Sequence, residues 1–515
     1  MKLLSLDRLN EKISAARRLV GSNGPGYLLG LLYMGVFSAL SILKHHNFHS
    51  HAFDLGLYQQ VVWNTAHGRW FQYTYQIGIG SATTNHLAIH FEPILLPIAF
   101  LFLFWDRPEV LLLLQTLSLA TAGFFIFSIA RRWGASTVAA SLFQALFYLH
   151  PAVQGPNLFD FHTLVLAPPF LLVGLLGIET RRFRLLVFGT LLALLCREQV
   201  ALSVAALGTY AFLRTRQKRM LLLVGLSLAW LALTVSVLIP AFNPEGIPTH
   251  FRAKFGYLGN TPIAALRTLL LSPRTLVEII GDPDRLHYLR DMLLCSGVFL
   301  PLLSPGLLLI AVPEILVNVL SQSNVQRFLT YQYSATAAAF LVLASARSAV
   351  WIEKRFAGGD QGHRLRIRWL AMLAGTLAVS MTVLFQFSRY GTIYPFGRDP
   401  QGHDLRGVYR PNERTRVAYR FMREIPAGDP VSAQSDLAPH LSNRSKIYVF
   451  PVVEDAKYVL LDQQGETFPA GLLGVPYLEQ VRRLRNDPRY EVFLEESGYL
   501  LFRRRTKAAD GRYPQ

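Results

Sequence analysis

Charge and cysteine are what this chain has least of. Only 16% of its 515 residues are Asp, Glu, Lys or Arg, while 51% are hydrophobic. The apolar residues come in long runs rather than at amphipathic spacing, which excludes an ordinary soluble domain and indicates a polytopic membrane protein. The two cysteines, Cys196 and Cys295, lie in or beside apolar segments without metal-type spacing, so neither a disulfide framework nor a zinc site is indicated. Glycine loops of the forms GxGxxG and GxxxxGK[ST] are missing, as are internal repeats and low-complexity tracts. Acid is scarcer than base: 51 Lys and Arg against 33 Asp and Glu give +18. Many of the cations sit in short loops between apolar runs, where orientation in a bilayer accounts for them and no nucleic-acid partner is implied.

Those loops set a topology. The amino terminus, MKLLSLDRLNEKISAARRLV, lacks a small-residue cleavage pattern, and the apolar run from 26 to 43 reads as an uncleaved first span. Lys2, Arg8, Lys12, Arg17 and Arg18 place that terminus in the cytoplasm and residues 44 to 108 outside. The run PILLPIAFLFLFW (93–105) would be only about 20 Å long as a helix against a hydrocarbon core of about 30 Å, so it lies in the interface or re-enters. Arg131 and Arg132 then fall inside, together with the basic loops 179–184, 214–219 and 353–368. The expectation is an α-helical protein of about eleven spans in the cell's inner membrane. They lie near 26–43, 109–130, 136–150, 164–178, 185–196, 200–213, 220–240, 289–303, 306–320, 333–350 and 369–387.

Beyond residue 388 the pattern changes. Apolar runs shorten to strand length in "DPVSAQ", "KIYVFP", "AKYVLLD" and "YEVFLEESGYLLFRR", separated by helical stretches such as NERTRVAYRFMREI and VPYLEQVRRLRND. Residues 1–387 therefore read as the membrane domain and 388–515 as a small extracytoplasmic α/β domain.

Polar residues collect in the segments assigned to the outer side. The first outer loop carries Asp54, Tyr58, Gln59, Gln60, Trp63 and Asn64, then "NHLAIHFEP" with His86, His90 and Glu92. The second gives "NLFDFHT", with Asp160 and His162 one residue apart, and "CREQ" places Arg197 and Glu198 near membrane depth. "PEILVNVLSQSNVQRFLTYQYS" adds Glu314, Asn318, Arg327, Tyr331 and Tyr333. Acids able to act as base or metal ligand thus share one face with arginines able to hold a phosphate. Each feature also has a plain reading. Asp54 sits where an aspartate caps a helix, HHNFHSH (45–51) suits a solvated juxtamembrane loop, and Arg197 and Glu198 can pair with each other. Asp160 and His162 are either a carboxylate orienting an imidazole or two unrelated loop residues. Ionisable groups at bilayer depth nevertheless point to function, because a structural pair there is expensive.

In their order, these features resemble the integral membrane glycosyltransferases of the GT-C superfamily. More closely, "FDLGLYQQVVWN", "HFEPILLPIAFLF", "LLLLQTLSLATAGFFIFSIARRWGAS", "FDFHTLVLAPPFLL", "CREQVAL", "PEILVNVLS" and "AKYVLLD" are similar to the bacterial and archaeal membrane family called domain of unknown function 2079, over about residues 40 to 465. The resemblance implies transfer of a sugar from a polyprenyl-phosphate donor to an acceptor on the outer face, with inversion. It makes Asp54, Asp160 and His162 candidate catalytic residues, with Asp54 as general base. Gln59, Trp63, His90, Glu92, Arg197, Glu198, Asn318, Arg327 and Tyr331 become candidates for binding substrate, with Arg197 on the donor phosphate. Asp54 is followed by Leu55 rather than by the paired acid common in the superfamily, which leaves metal dependence open; Asp54 and Glu92 are the candidate ligands for a divalent ion. The same intramembrane charges would also suit a transporter or lipid flippase, although paired repeats and interrupted helices are not seen. A third reading is a non-catalytic membrane scaffold presenting the outer domain.

Overall fold

The computed structural model describes residues 3–75, 84–243, 249–356, 361–388, 405–465, 468–469 and 475–505. The side chains of residues 3–20, and with them the amino-terminal cations that set the expected orientation, lie outside the described ones.

The membrane domain is a stack of helices. In order these are α1 (Leu3–His46), α2 (Leu57–Ala66), α3 (Leu95–Phe102), α4 (Glu109–Trp133), α5 (Thr137–Leu149), α6 (Pro151–Phe159), α7 (Ala167–Glu179), α8 (Phe183–Leu194), α9 (Val200–Thr215) and α10 (Arg219–Leu233). They continue with α11 (Ile239–Phe242), α12 (Thr249–Phe255), α13 (Pro262–Leu271), α14 (Pro273–Ile280), α15 (Pro283–Cys295), α16 (Pro305–Leu320), α17 (Ala335–Phe356) and α18 (Gln361–Ser388). Among the described residues, 23–46, 108–133, 219–242 and 332–356 form helices long and apolar enough to cross a membrane, and several shorter apolar helices pack among them. The expected span at 289–303 is not a continuous helix. α15 ends at Cys295, and the chain turns through Gly297 (φ 116°) and Val298 (φ 60°), because the glycine takes a left-handed conformation that stops a helix. α3 has eight residues, about 12 Å of helix, and leaves Phe100, Phe104 and Trp105 exposed beside it.

The basic turns share one end of this stack. Trp133 Nε1, closing α4, donates to Glu179 at the end of α7 (2.9 Å), and Lys354 near the end of α17 donates to the Trp133 carbonyl (2.9 Å). The opposite end carries the sheet domain: His46 Nε2 lies 2.8 Å from Glu109 Oε1, and Tyr419 donates to the His46 carbonyl at 3.2 Å.

That domain contains β1 (Val431–Ala433), β2 (Ile447–Val449), β3 (Tyr458–Asp462), β4 (Tyr490–Glu496) and β5 (Tyr499–Arg504), ordered β2-β1-β3-β5-β4, with α19 (Glu413–Arg423) and α20 (Tyr477–Arg485). β1 runs parallel to β2 and β3, while β5 is antiparallel to β3 and β4. Ser497 and Gly498, both at positive φ, make the tight β4–β5 turn anticipated from the alternating runs. Its first strands and α2 are stitched together through buried amides: Gln60 donates to Thr74 and to the carbonyls of Arg444 and Ser445.

Candidate functional site

The carboxylate of Asp54 caps no described helix. It stands in a single widened turn, residues 52–56, in which Gly56 N–H reaches back five residues to the His51 carbonyl (3.1 Å). Such turns re-aim side chains by one position. Here the result is a crossed pair of dyads between the segment that follows α1 and the segment that follows α6. Asp54 Oδ1 meets His162 Nε2 at 3.0 Å, while Asp160 Oδ2 accepts from both the backbone N–H (2.9 Å) and Nδ1 (3.1 Å) of His51. Asp160 and His162 are therefore not each other's side-chain partners; each pairs across the gap.

The second loop is held from below by an amide in α4. Gln115, fully buried, donates to the carbonyls of Pro156 and Asp160 (both 2.9 Å) and accepts from the N–H of His162 (2.8 Å). That leaves His162 Nδ1 3.3 Å from the Asp160 carbonyl, so both ring nitrogens face acceptors and a neutral ring has one proton for two of them. Burial would push the Asp160 carboxyl up, but the Lys44 ammonium at 3.9 Å and the His51 bonds outweigh it and hold the acid below its ordinary range. Gly155 lets this loop close. A Cβ there would stand 2.4 Å from Thr330 Cα, and the close approach brings Tyr331 edge-on to Phe159 at 4.7 Å.

A second cluster lies behind Tyr58, whose ring packs edge-on against His86 (5.3 Å) and His162 (5.7 Å). Glu92 is wholly buried and takes His86 Nε2 (2.9 Å), the Tyr58 hydroxyl (3.2 Å) and Arg197 Nε (3.5 Å). Burial raises its pKa, yet His86, Arg197 and His90 overcome that and bring it down to about 2. Glu198 does not pair with its neighbour. It takes His90 Nδ1 (2.8 Å) and the Phe91 N–H (3.0 Å), while Arg197 contacts His90 and Glu92. Arg197 is 3% exposed, and its Nη1 has no hydrogen-bond partner among the described residues. A buried guanidinium with an unused donor is able to offer it to an anion's oxygen. Lys254 of α12 is the other cation there, 5.3 Å above the Tyr333 ring. Burial, and then Arg197 close by, push its pKa down to about 8. Tyr58 touches both sides, with its hydroxyl on Glu92 and its ring against His162, which joins the two clusters into one site.

Other predicted residues are elsewhere or already engaged. Asn318 donates to Tyr288, the Tyr333 carbonyl and Ser334, and Arg327 holds the Ser321 carbonyl and Asn324, so both brace the segment that carries Tyr331 and Tyr333. Gln59 donates to Asn443 of the sheet domain (2.8 Å), and Trp63 packs against the His67 ring at a tilt (4.1 Å). The histidine cluster 45–51 is not a solvated loop. His45 is buried with its ring stacked on His440 at 4.1 Å, because the sheet domain folds back over it. For a metal ion, His51, Asp54 and Asp160 are, among the described residues, the group whose ligand atoms lie within 4.8 Å of one another; Glu92 is not part of it. One imidazole and two carboxylates suit a divalent cation, although Lys44 already balances Asp160.

Residues 44–500 match the model of the family described as Predicted membrane protein (DUF2079), and the chain belongs to that family. Among solved structures it is similar to ArnT from Cupriavidus metallidurans bound to undecaprenyl phosphate, at 13% identity and a TM-score of 0.50, covering 96% of this chain and 100% of that one. It is also similar to the same protein in the apo state, at 13% identity and a TM-score of 0.46, covering 94% and 99%. The likeness is one of fold. No curated protein matches the sequence.

Proposed function

We propose that this DUF2079 family member is an inverting glycosyltransferase of GT-C type, moving a sugar from a polyprenyl-phosphate donor to an acceptor hydroxyl on the extracytoplasmic face. The observation that carries the reading is that one site holds a carboxylate able to take a proton and, a short way off, a buried arginine with an unused donor and a lysine. Asp54, backed by His162, offers a base to an entering hydroxyl, while Arg197 with its unused Nη1 and Lys254 offer charge to a departing phosphate. In the reaction the acceptor oxygen bonds to the anomeric carbon as its proton passes to Asp54. The bond from that carbon to the phosphate oxygen breaks, and the phosphate leaves with the electron pair toward Arg197 and Lys254. A single displacement inverts the centre. His51, Asp54 and Asp160 would hold a divalent ion, which would add positive charge beside the donor. In this reading the chain crosses the inner membrane about eleven times, with residues 44–108 and the sheet domain outside. Undecaprenyl phosphate, bound by the structurally similar ArnT, is the natural probe. Binding to purified protein in lipid nanodiscs should weaken about tenfold in Lys254→Gln and in Arg197→Gln, the loss of one charge-assisted contact. Asp54→Asn should bind as wild type does. Unchanged binding in both cation variants would overturn the assignment.

A further inference from the structure

A concentration of exposed positive charge lies at the other end of the molecule. The α7–α8 and α9–α10 turns face each other across a cavity of about 520 Å³, lined among others by Glu179, Arg181, Phe183, Arg214, Gln217 and Arg219. The acid in this lining is already engaged, since Glu179 takes Trp133 Nε1 at 2.9 Å and the Tyr210 hydroxyl at 3.2 Å. Arg219 lies flat over Phe183 (4.5 Å) and is steadied by Gln217 (2.8 Å). Arg182, Arg184, Arg216 and Lys218 stand in the same two turns, so the neighbourhood is strongly cationic. Both turns place an arginine at a left-handed position, Arg181 at φ 56° and Arg216 at φ 59°, where glycine is the residue of least strain.

We propose that this cavity binds the headgroup of an anionic phospholipid. The cations sit at the ends of apolar helices, at headgroup level. Leu213, Leu221 and Leu222 beside the turns and Phe188 farther along α8 are exposed and offer apolar surface for acyl chains. α10 belongs to a segment of which only 17% is buried, so it keeps a long exposed apolar face. A soluble phosphate or nucleotide would use the guanidiniums but not that surface. Basic pockets between membrane helices recognise lipids by this combination.

Native mass spectrometry of the full chain, given cardiolipin or phosphatidylcholine in detergent, tests it. Wild type should retain cardiolipin and not phosphatidylcholine. The triple variant Arg181→Gln, Arg214→Gln, Arg219→Gln should bind cardiolipin on the order of 100-fold more weakly, since each basic residue near an anionic lipid contributes about fivefold. The matching triple change to lysine should keep most of the affinity. If the glutamine triple does not fold, Arg214→Gln alone should show about a fivefold loss. Equal retention by wild type and the glutamine variants would overturn the site. Displacement of cardiolipin by millimolar inorganic phosphate would overturn the lipid assignment in favour of a free anion.

Discussion

The two ends of the helical stack carry charge in opposite ways. At the end under the sheet domain, charge is buried and paired: Glu92 and Asp160 are at most 1% exposed, and each is met by a histidine and a cation. At the other end, the arginines of residues 181–184 and 214–219 are exposed, and Arg219 leans on one aromatic face and one amide. Removing a charge from water costs several kcal/mol, which pairing recovers only with good geometry. An exposed charge costs almost nothing. The buried set is therefore expensive and is where the proposed chemistry lies, whereas the exposed set is cheap and fits the proposed orientation in a membrane.

The widest separation should appear at Asp54. Asp54→Asn should lower turnover by about 10² to 10⁴, the usual loss on removing a general base, while protein yield and undecaprenyl phosphate binding stay near wild type. The measurement is sugar transfer from the lipid-linked donor by purified protein. An unchanged rate would make Asp54 structural and move the base to Asp160.

Second is the cost of breaking the buried cluster. Glu92→Ala leaves Arg197 and His86 without their shared carboxylate and should reduce stability by about 3 to 5 kcal/mol, read as a fall in the unfolding midpoint in nanodiscs. Glu92→Gln keeps the volume and an acceptor for Tyr58 and should cost less. A variant as stable as wild type would show that the network is not an energetic unit.

Much of this site was legible because charge in an apolar run is conspicuous. Asp54, Glu92, Asp160, His162, Arg197 and Glu198 stand out singly, and the structure brings them into two neighbouring clusters. Their pairing was not legible. It depends on which loops face one another, so Asp160 takes His51 and Glu198 takes His90 across 109 and 108 residues of sequence. Gln115 left a signal, an amide within LLLLQTLSL, that a search for ionisable groups passes over. Lys254 left none, since a lysine in an outer loop has the look of a solvated one until α12 folds over Tyr333. The short strands of the sheet domain were readable from alternation, but its docking onto His45 was not, because that contact joins residues nearly 400 positions apart.

Third is a pH effect that would sharpen the contrast, since Lys254 is a half-buried cation between the two extremes. With its pKa lowered to about 8, the ammonium that attracts phosphate is present below pH 8 and lost above it. Affinity for undecaprenyl phosphate should fall about tenfold between pH 8 and 9.5 in wild type, the worth of one charge-assisted contact. Lys254→Arg should remain flat over that range. The effect on folding has the opposite sign: a lowered lysine pKa means the fold favours the neutral amine, so this residue's contribution to stability rises from pH 8 toward the ordinary lysine value. A wild-type affinity that is flat to pH 9.5 would remove Lys254 from the site.

The smallest effect belongs to the exposed end. Arg182→Cys removes a fully solvated charge and should change stability by less than about 0.5 kcal/mol, yet it reports on the whole comparison. Cys196 and Cys295 are both buried, so an impermeant thiol reagent should see only the introduced residue. In intact cells or sealed right-side-out vesicles, Arg182→Cys should stay unlabelled until the membrane is opened. His67→Cys in the first outer loop and Ser497→Cys in the sheet domain should label at once. If Arg182→Cys reacts from the same side as the other two, the cations do not orient the chain by the positive-inside rule. The buried cluster would then lose its place on the face where a lipid-linked donor is used.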